Sequence, residues 1–389
     1  MKKVLLLNKI AKVGTDELDS RDYEVGTDIT DPDAIMVRSA DMHSMEFGDN
    51  LMAVARAGAG TNNIPVDACA ERGIVVFNTP GANANGVKEL TIAALLLASR
   101  NIVGGVEWTR TLVGNADVAD VAKAVEKGKS QFAGVEIQGK TLGVVGLGAI
   151  GGMVANAALS LGMNVVGYDP YITVEGAWSL SRAVRKAASY DEIYAVADYI
   201  TVHAPATPET KNMFCAESFA KMKDGVRIVN LSRADLVNAA DMKEALASGK
   251  VAAYVTDFPT AEVLGVPGIV TIPHLGASTV EAEDNCAVMA AKQLKDYLEN
   301  GNIANSVNYP NCSLPRSGRS RITLHHLNQN SMIAKITSVL AENGANIENF
   351  VNKSRGNYAY SIIDVNTDIP EFAIDKLRKI DGVIRVRVI

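Results

Sequence analysis

Three side chains of complementary chemistry stand in short motifs in the second half of the chain: Arg233 in NLSRAD (230–235), Glu262 just after TDFPT (256–260), and His274 in IPHLGAS (272–278). A guanidinium holds a carboxylate through paired, charge-assisted hydrogen bonds. An imidazole exchanges a proton near neutral pH. Together they supply what is needed to move a hydride off a 2-hydroxy acid while the hydroxyl proton leaves. Taken singly, Arg233 is as well a surface residue in a loop, Glu262 a solvated charge and His274 a satisfied buried histidine after Pro273. The ordered set falls at three successive strand ends, where open α/β sheets hold ligands.

A second constellation concerns phosphate. Gly146-Leu147-Gly148-Ala149-Ile150-Gly151 follows the strand-like TLGVV (141–145) and opens a helix that Gly162 stops. Gly146 permits the tight turn, Gly148 lets the backbone approach a pyrophosphate, and Gly151 lets helix and strand pack closely, with helix N-terminal amides facing the negative charge. Asp169 ends the next strand, 18 residues after Gly151. A carboxylate there accepts from ribose hydroxyls and repels the extra phosphate of NADP, which favours NAD. The plainer alternative, glycines that only turn a corner and an Asp169 that caps a strand, leaves the agreement of strand, glycines, helix and acid unexplained.

The elements that must position these groups alternate β-branched runs with helices, the signature of parallel sheets. VLLLN (4–8), IMVR (35–38), MAVARAG (52–58) and IVVFN (74–78) precede a helix expected over 87–99. Six runs then describe a doubly wound domain: 141–146, 163–169, 199–204, 226–232, 251–258 and 269–274. A helix follows to about Leu298. The stretch 302–320 collects Asn, Ser, Pro and Gly and reads as a linker. Beyond it, strand 321–328, helix 331–343, strands 347–354 and 358–365, helix 370–380 and strand 383–389 form a βαββαβ unit.

With 389 residues the chain exceeds a single core, and two or three domains are expected. Hydrophobic residues at 48% and a formal charge of −6 leave no basic surplus for nucleic acid. The apolar stretch Leu90–Ala98 is too short to span a bilayer, and Met1-Lys2-Lys3 runs straight into a strand, so a cytoplasmic protein is expected. Cys69, Cys215, Cys286 and Cys312 lie far apart with no CxxC pair, which suggests neither disulfides nor a metal site.

The motifs around Arg233, Glu262 and His274 resemble the Arg, Glu and His signatures of the D-2-hydroxyacid dehydrogenases. The resemblance implies that Arg233 clamps the substrate carboxylate, that His274 takes the hydroxyl proton, and that Glu262 hydrogen-bonds His274 and raises its basicity. It implies an Asp257 that contacts the nicotinamide amide. It also puts His203, Pro205 and Thr210 of VHAPATPET (202–210), and Leu231, Ser232 and Gly276, beside the cofactor. Two features depart from the family's pattern: Ala234 stands where glycine is usual, and only 12 residues separate Glu262 from His274.

Substrate choice falls to the N-terminal domain, whose loops carry Arg38-Ser39, Arg56 and Asn83. Two arginines at separate strand ends suit a phosphate, unless they merely pair with surface carboxylates. The arrangement is similar to phosphoglycerate dehydrogenases, in which Arg38, Ser39, Arg56, Gly58 and Asn83 fall on substrate-side positions. The C-terminal unit resembles an ACT domain, with His326, Asn328 and Asn346 on the positions that hold L-serine; Asn330-Ser331 replaces the usual Pro-Gly. A purely structural, dimerising role is the alternative for this unit.

The implied architecture is a Rossmann-type doubly wound cofactor domain (97–277) inserted in a flavodoxin-like substrate domain (1–96 and 278–308), then a linker (309–320) and a ferredoxin-like ACT domain (321–389). The implied reaction is NAD-dependent oxidation of 3-phosphoglycerate to 3-phosphohydroxypyruvate by a homodimer or homotetramer. Rival readings are a glyoxylate or hydroxypyruvate reductase on the same scaffold, and a non-catalytic NAD sensor.

Overall fold

The structure, a computed structural model, describes residues 1–114 and 118–389. The chain divides into two compact units, Met1–Asn83 with Val280–Ile389, and Ala84–Thr279.

The chain begins with five parallel strands: β1 (Lys2–Leu7), β2 (Tyr23–Gly26), β3 (Ala34–Val37), β4 (Ala53–Arg56) and β5 (Val75–Phe77). Their order is β2-β1-β3-β4-β5, the flavodoxin-like winding. The middle strand β3 is apolar throughout because both faces of a parallel sheet are covered there; all four of its residues are buried. Strand β2 escaped the sequence reading because Glu24 and Gly26 interrupt its short apolar pattern. The helix Val280–Asn300 returns to this unit and buries Ala287, Ala290, Ala291, Leu294 and Leu298 against the sheet. It passes so close to Gly14 that a Cβ there would stand 2.5 Å from the Ala287 backbone.

The second unit holds seven parallel strands: β6 (Thr141–Val145), β7 (Asn164–Tyr168), β8 (Arg185–Lys186), β9 (Tyr199–Val202), β10 (Val226–Asn230), β11 (Val251–Thr256) and β12 (Ile269–Thr271). The order β12-β11-β10-β9-β6-β7-β8 is doubly wound and reverses between β6 and β9. One face packs on the helices Ala84–Ser99 and Ala149–Ser160 through Leu95, Ala98, Val154 and Ala158. The other face packs on Ile193, Phe219 and Met242. Helices Ile102–Arg110 and Val118–Gly128 were not anticipated, because Gly104 and Gly105 depress propensity in the first.

The C-terminal strands β13 (Ser320–Leu327), β14 (Ile347–Arg355), β15 (Tyr358–Val365) and β16 (Val383–Val388) form an antiparallel sheet in the order β14-β15-β13-β16. Helices Met332–Glu342 and Glu371–Arg378 cover one face through Ile336, Leu340, Ile374 and Leu377. The opposite face is not free: Tyr360 and Ile362 join the cluster of Val4, Phe77, Tyr297 and Tyr309. Residues 309–319 of the expected linker are irregular but are no loose tether, and Ser320 already belongs to β13. Tyr309 is fully buried and donates its hydroxyl to the Ala70 carbonyl at 2.7 Å, and Cys312 bridges to Ile303. Composition identified the lack of regular structure but not the burial, which depends on a distant partner. Among the described residues, no single helix is long and apolar enough to cross a membrane.

Candidate active site

The glycine loop sits at the reversal point of the seven-stranded sheet. Gly146 has φ +85, and a Cβ on it would stand 2.7 Å from the His203 carbonyl oxygen, so only glycine fits this crossing of β6 and β9. Gly148 precedes the helix Ala149–Ser160, and a Cβ there would meet nothing within 4 Å, which leaves open space over the free N–H groups of the helix start. Ala149 and Ile150 contribute backbone to that first turn. An added side chain at Gly151 would strike the Gly146 carbonyl. The first turn carries no acidic residue that would neutralise it.

Asp169 follows β7. Its Oδ2 accepts the Leu147 N–H at 2.8 Å and its Oδ1 accepts the Tyr171 N–H at 2.8 Å. The acid thus holds the glycine loop itself. A carboxylate has about four lone-pair sites, so capacity remains on both oxygens for ribose hydroxyls.

Beyond β9, Thr210 donates to the Pro205 carbonyl at 2.6 Å and closes the 205–210 turn. His203 meets the Thr201 hydroxyl through Nε2 at 3.1 Å, while its Nδ1 is sealed from solvent without a partner. Burial pushes its pKa down to about 4, so the ring is neutral at physiological pH. Ser232 donates to the Val202 carbonyl at 2.7 Å and Leu231 is buried, which ties the end of β10 to β9.

Asn230, fully buried at the end of β10, shapes the turn that presents Arg233. Its Nδ2 donates to the Arg233 carbonyl at 2.8 Å and its Oδ1 accepts from the Ser232 N–H at 3.1 Å. The Arg233 side chain itself is exposed, with Nη1 donating to the Ser232 carbonyl at 2.6 Å. Ala234 opens a 3-10 turn, Ala234–Leu236, so the non-glycine residue is accommodated without a left-handed conformation.

Asp257 follows β11 and is 1% exposed. Its Oδ2 accepts the Gly276 N–H at 3.3 Å, and its Oδ1 has no partner. Burial raises the pKa of this carboxyl, opposed by the nearby charge of His274, the Gly276 N–H and the charge of Arg233. Arg233 and His274 therefore lie within electrostatic reach of one buried carboxylate. The His274 N–H donates to the carbonyls of Asp257 and Ile272, both at 3.0 Å, and its ring lies 4.8 Å from that of Phe258. His274 adopts φ +44, a left-handed conformation that histidine tolerates better than most residues.

Glu262 is placed differently from the expectation. It is exposed, no hydrogen bond joins it to His274, and it lines a cavity of about 370 Å³ with Lys211, Asp235, Asn238, Lys243 and Tyr254. The segment between Glu262 and His274 carries the short strand β12, and the motif's spacing does not fix which way the acid faces. The acidic residue that touches the histidine backbone is Asp257, through its main-chain carbonyl.

In the first unit, Arg38 and Ser39 follow β3, Arg56 ends β4, and Asn83 lies in the turn before residue 84. The Asn8 Oδ1 accepts backbone N–H groups of Ser39 at 3.0 Å and Ala40 at 2.8 Å, and holds this loop from the end of β1. Gly58, at φ +151, accommodates the Arg56 guanidinium where a side chain would collide with it. Arg38 pairs with Glu283, Nη1 to Oε1 at 2.7 Å. Asn8 and Asn230 were both missed by the sequence reading; an asparagine at a strand end does not show which backbone it holds.

The three residues expected at an effector site do not gather within one chain. The pairing sets His326 opposite Ala359 and Ile347 opposite Val365, so Asn346 lies at the far end of the sheet from His326 and Asn328. His326 is buried against Asn352 at 3.0 Å and Ser361 at 3.2 Å, and the Asn328 Nδ2 donates to the Gly356 carbonyl at 3.1 Å. Ser331 takes the left-handed conformation, φ +64, at the start of its helix, in the position that glycine usually fills.

A nicotinamide dinucleotide fits these residues. The helix start offers open N–H groups, and the orphaned buried Oδ1 of Asp257 suits a carboxamide donor. Residues 92–276 match the D-isomer specific 2-hydroxyacid dehydrogenase, NAD binding domain. The D-3-phosphoglycerate dehydrogenase of Haemophilus influenzae is 31% identical over 357 residues, which cover 89% of this chain and 83% of that protein. Its namesake from Methanocaldococcus jannaschii is 37% identical over 300 residues, 75% of this chain and 54% of that protein. The chain spans about half the length of this and two further relatives of the same name. Among solved structures, an NAD+-bound 3-phosphoglycerate dehydrogenase from Entamoeba histolytica aligns with TM-score 0.61 and 27% identity, over 79% of this chain and 98% of that one. The chain belongs to the D-isomer specific 2-hydroxyacid dehydrogenase family, with NAD as its cofactor.

Proposed function

We propose that the protein oxidises 3-phospho-D-glycerate to 3-phosphohydroxypyruvate with NAD, the entry step of phosphorylated serine synthesis. The observation that carries this reading is the buried Asp257 carboxylate with Arg233 and His274 in its field, at strand ends on the same edge of the sheet as an open glycine loop. D-3-phosphoglycerate dehydrogenases that match the chain over most of its length support this choice of substrate.

NAD held by the glycine loop, Asp169 and Asp257 would supply the acceptor for the C2 hydride. Arg233 holds the substrate carboxylate and polarises the C2 oxygen; its exposed guanidinium keeps donors available for this. His274 takes the hydroxyl proton on its imidazole and returns it in the reverse direction. Asp257, through its unpartnered Oδ1, orients the nicotinamide amide, while Asp169, His203, Pro205, Thr210, Leu231, Ser232 and Gly276 form the rest of the cradle. A role for Glu262 beside His274 requires the 258–274 segment to rearrange when ligands bind. Arg38, Ser39, Arg56, Gly58 and Asn83 receive the phosphate end.

The same reading carries a homo-oligomer in a cytoplasmic setting, and an ACT-type C-terminal unit that binds L-serine between two copies. The separation of Asn346 from His326 in one chain suits a site completed by a second chain. The test is NAD reduction with a panel of phosphorylated and plain 2-hydroxy acids, with and without L-serine. Turnover confined to unphosphorylated acids removes the substrate assignment and leaves the hydride chemistry in place.

A further inference from the structure

The loop after β3 is rigidly built, yet the side chain it presents is already engaged. Asn8 fixes the backbone at Ser39 and Ala40, and Arg38 extends from that anchored loop to Glu283 at 2.7 Å. The two side chains are 40% and 44% exposed, so the pair lies in water rather than in the core. Such a pair shifts an equilibrium by no more than about fivefold. Only Nη1 of the guanidinium is committed to Glu283, and a guanidinium carries five donors.

Glu283 is also secure without its partner. It stands in the first turn of Val280–Asn300, where the partial positive charge of the helix start favours a carboxylate. Releasing Arg38 therefore leaves neither an orphaned buried charge nor a broken fold. A phosphate monoester, with close to two negative charges and three acceptor oxygens, is a stronger and better-shaped partner for a guanidinium than one carboxylate.

We infer that Glu283 is a positioning residue for substrate selection: it holds Arg38 as an internal counter-ion and yields it to the phosphate of the incoming substrate. This rests on the reading of Arg38 as a substrate residue given under Proposed function. The exchange taxes every ligand that recruits Arg38, and only a strongly charged group recovers the loss. Glu283 thus raises the KM for the phosphorylated acid without entering the chemistry.

The test compares wild type, Glu283→Gln, Arg38→Gln and the double variant. With NAD and 3-phosphoglycerate, Glu283→Gln should lower KM about two- to fivefold with kcat unchanged, and the gain should shrink at high salt. Plain glycerate should show no change, and Arg38→Gln should abolish the effect of the second substitution. A KM that is unchanged or higher in Glu283→Gln, or a gain that survives Arg38→Gln, overturns the inference. So does an equal gain with glycerate, which would assign Arg38 to a carboxylate common to both acids. Inorganic phosphate, titrated against the NAD-loaded protein by thermal shift, separates this from failure of the proposed reaction. Tighter phosphate binding in Glu283→Gln that requires Arg38 supports the counter-ion even in a protein that does not turn over 3-phosphoglycerate, and unaltered phosphate binding rejects it.

Discussion

The backbone N–H of His274 donates to the carbonyl of Asp257 at 3.0 Å, which fixes a left-handed histidine next to a buried carboxyl. The bond ties the end of β12 to the end of β11, so backbone presents the imidazole, and the Phe258 ring at 4.8 Å packs against it. Replacement by asparagine should keep this geometry, because asparagine tolerates φ > 0 as histidine does. His274→Asn should lower kcat by about two to four orders of magnitude. Cofactor affinity, read by fluorescence titration with NADH, should be retained. Near-normal turnover removes His274 from proton transfer.

Asp169 has two duties in the structure, and its replacement should reveal both. Asp169→Ala should narrow the preference for NAD over NADP in kcat/KM, since the repulsion of a 2′-phosphate is lost. It should also cost about 1–3 kcal/mol of stability in urea, because the N–H groups of Leu147 and Tyr171 lose their acceptors. An unchanged cofactor ratio would assign the selectivity to another group.

Acid should destabilise the protein through two histidines held neutral. His325 is enclosed by Tyr297, Tyr309 and Tyr360, with its Nε2 at 2.9 Å from the Tyr297 hydroxyl. Burial, and then the charges of Arg385, Arg387 and His326, depress its pKa well below the ordinary 6.5; burial alone takes His203 to about 4. Protons bind more readily to the unfolded chain, so this stability is complete above about pH 6.5 and is lost as the pH falls. Melting temperature should be level from pH 8 to 7 and decline from 6.5 towards 4. His325→Phe, which fills the ring space without a titrating group, should make that decline shallower; an identical slope would show that other groups govern it.

Arg321 and Asp364 form a buried pair with both side chains fully enclosed, at 2.6 and 2.8 Å. Burial works against the carboxylate, but the Arg321 hydrogen bonds and the Ser317 N–H outweigh it and hold the Asp364 pKa below its usual range. Asp364→Asn leaves an uncompensated cation in the core and should cost about 3–5 kcal/mol in chemical denaturation. A loss under about 1 kcal/mol would mean that the carbonyls of Asn300 and Pro315 satisfy Arg321 unaided.

The cofactor half was legible because its requirements are local. A strand, a φ only glycine accepts at Gly146 and an acid after the next strand all lie within about thirty residues, and each leaves its own mark on residue type. Arg233 and His274 were legible as types at strand ends, but Glu262 was not legible as a neighbour, because its facing depends on the path of the 258–274 segment. Asn8 and Asn230 were invisible as determinants since each acts on backbone several residues or a whole strand away. The joint between the first sheet and the C-terminal sheet was hidden for the same reason. Tyr297, Tyr309 and Tyr360 read as ordinary aromatics, and only the fold brings them around His325.

That joint is gripped by arginines that hold main chain. Arg385 donates to the carbonyls of Leu51 at 2.6 Å and Asp49 at 3.2 Å, and Arg387 to those of Tyr297 at 3.2 Å and Leu298 at 3.0 Å, the latter two in the closing turn of a helix. Every residue type offers a carbonyl, so the receiving surface can drift in sequence without surrendering its acceptors. The polar part of the attachment is thus one-sided: two side chains of the last strand supply its donors and the host answers with main chain, while the apolar part still asks the host for Val4, Phe77 and Tyr297.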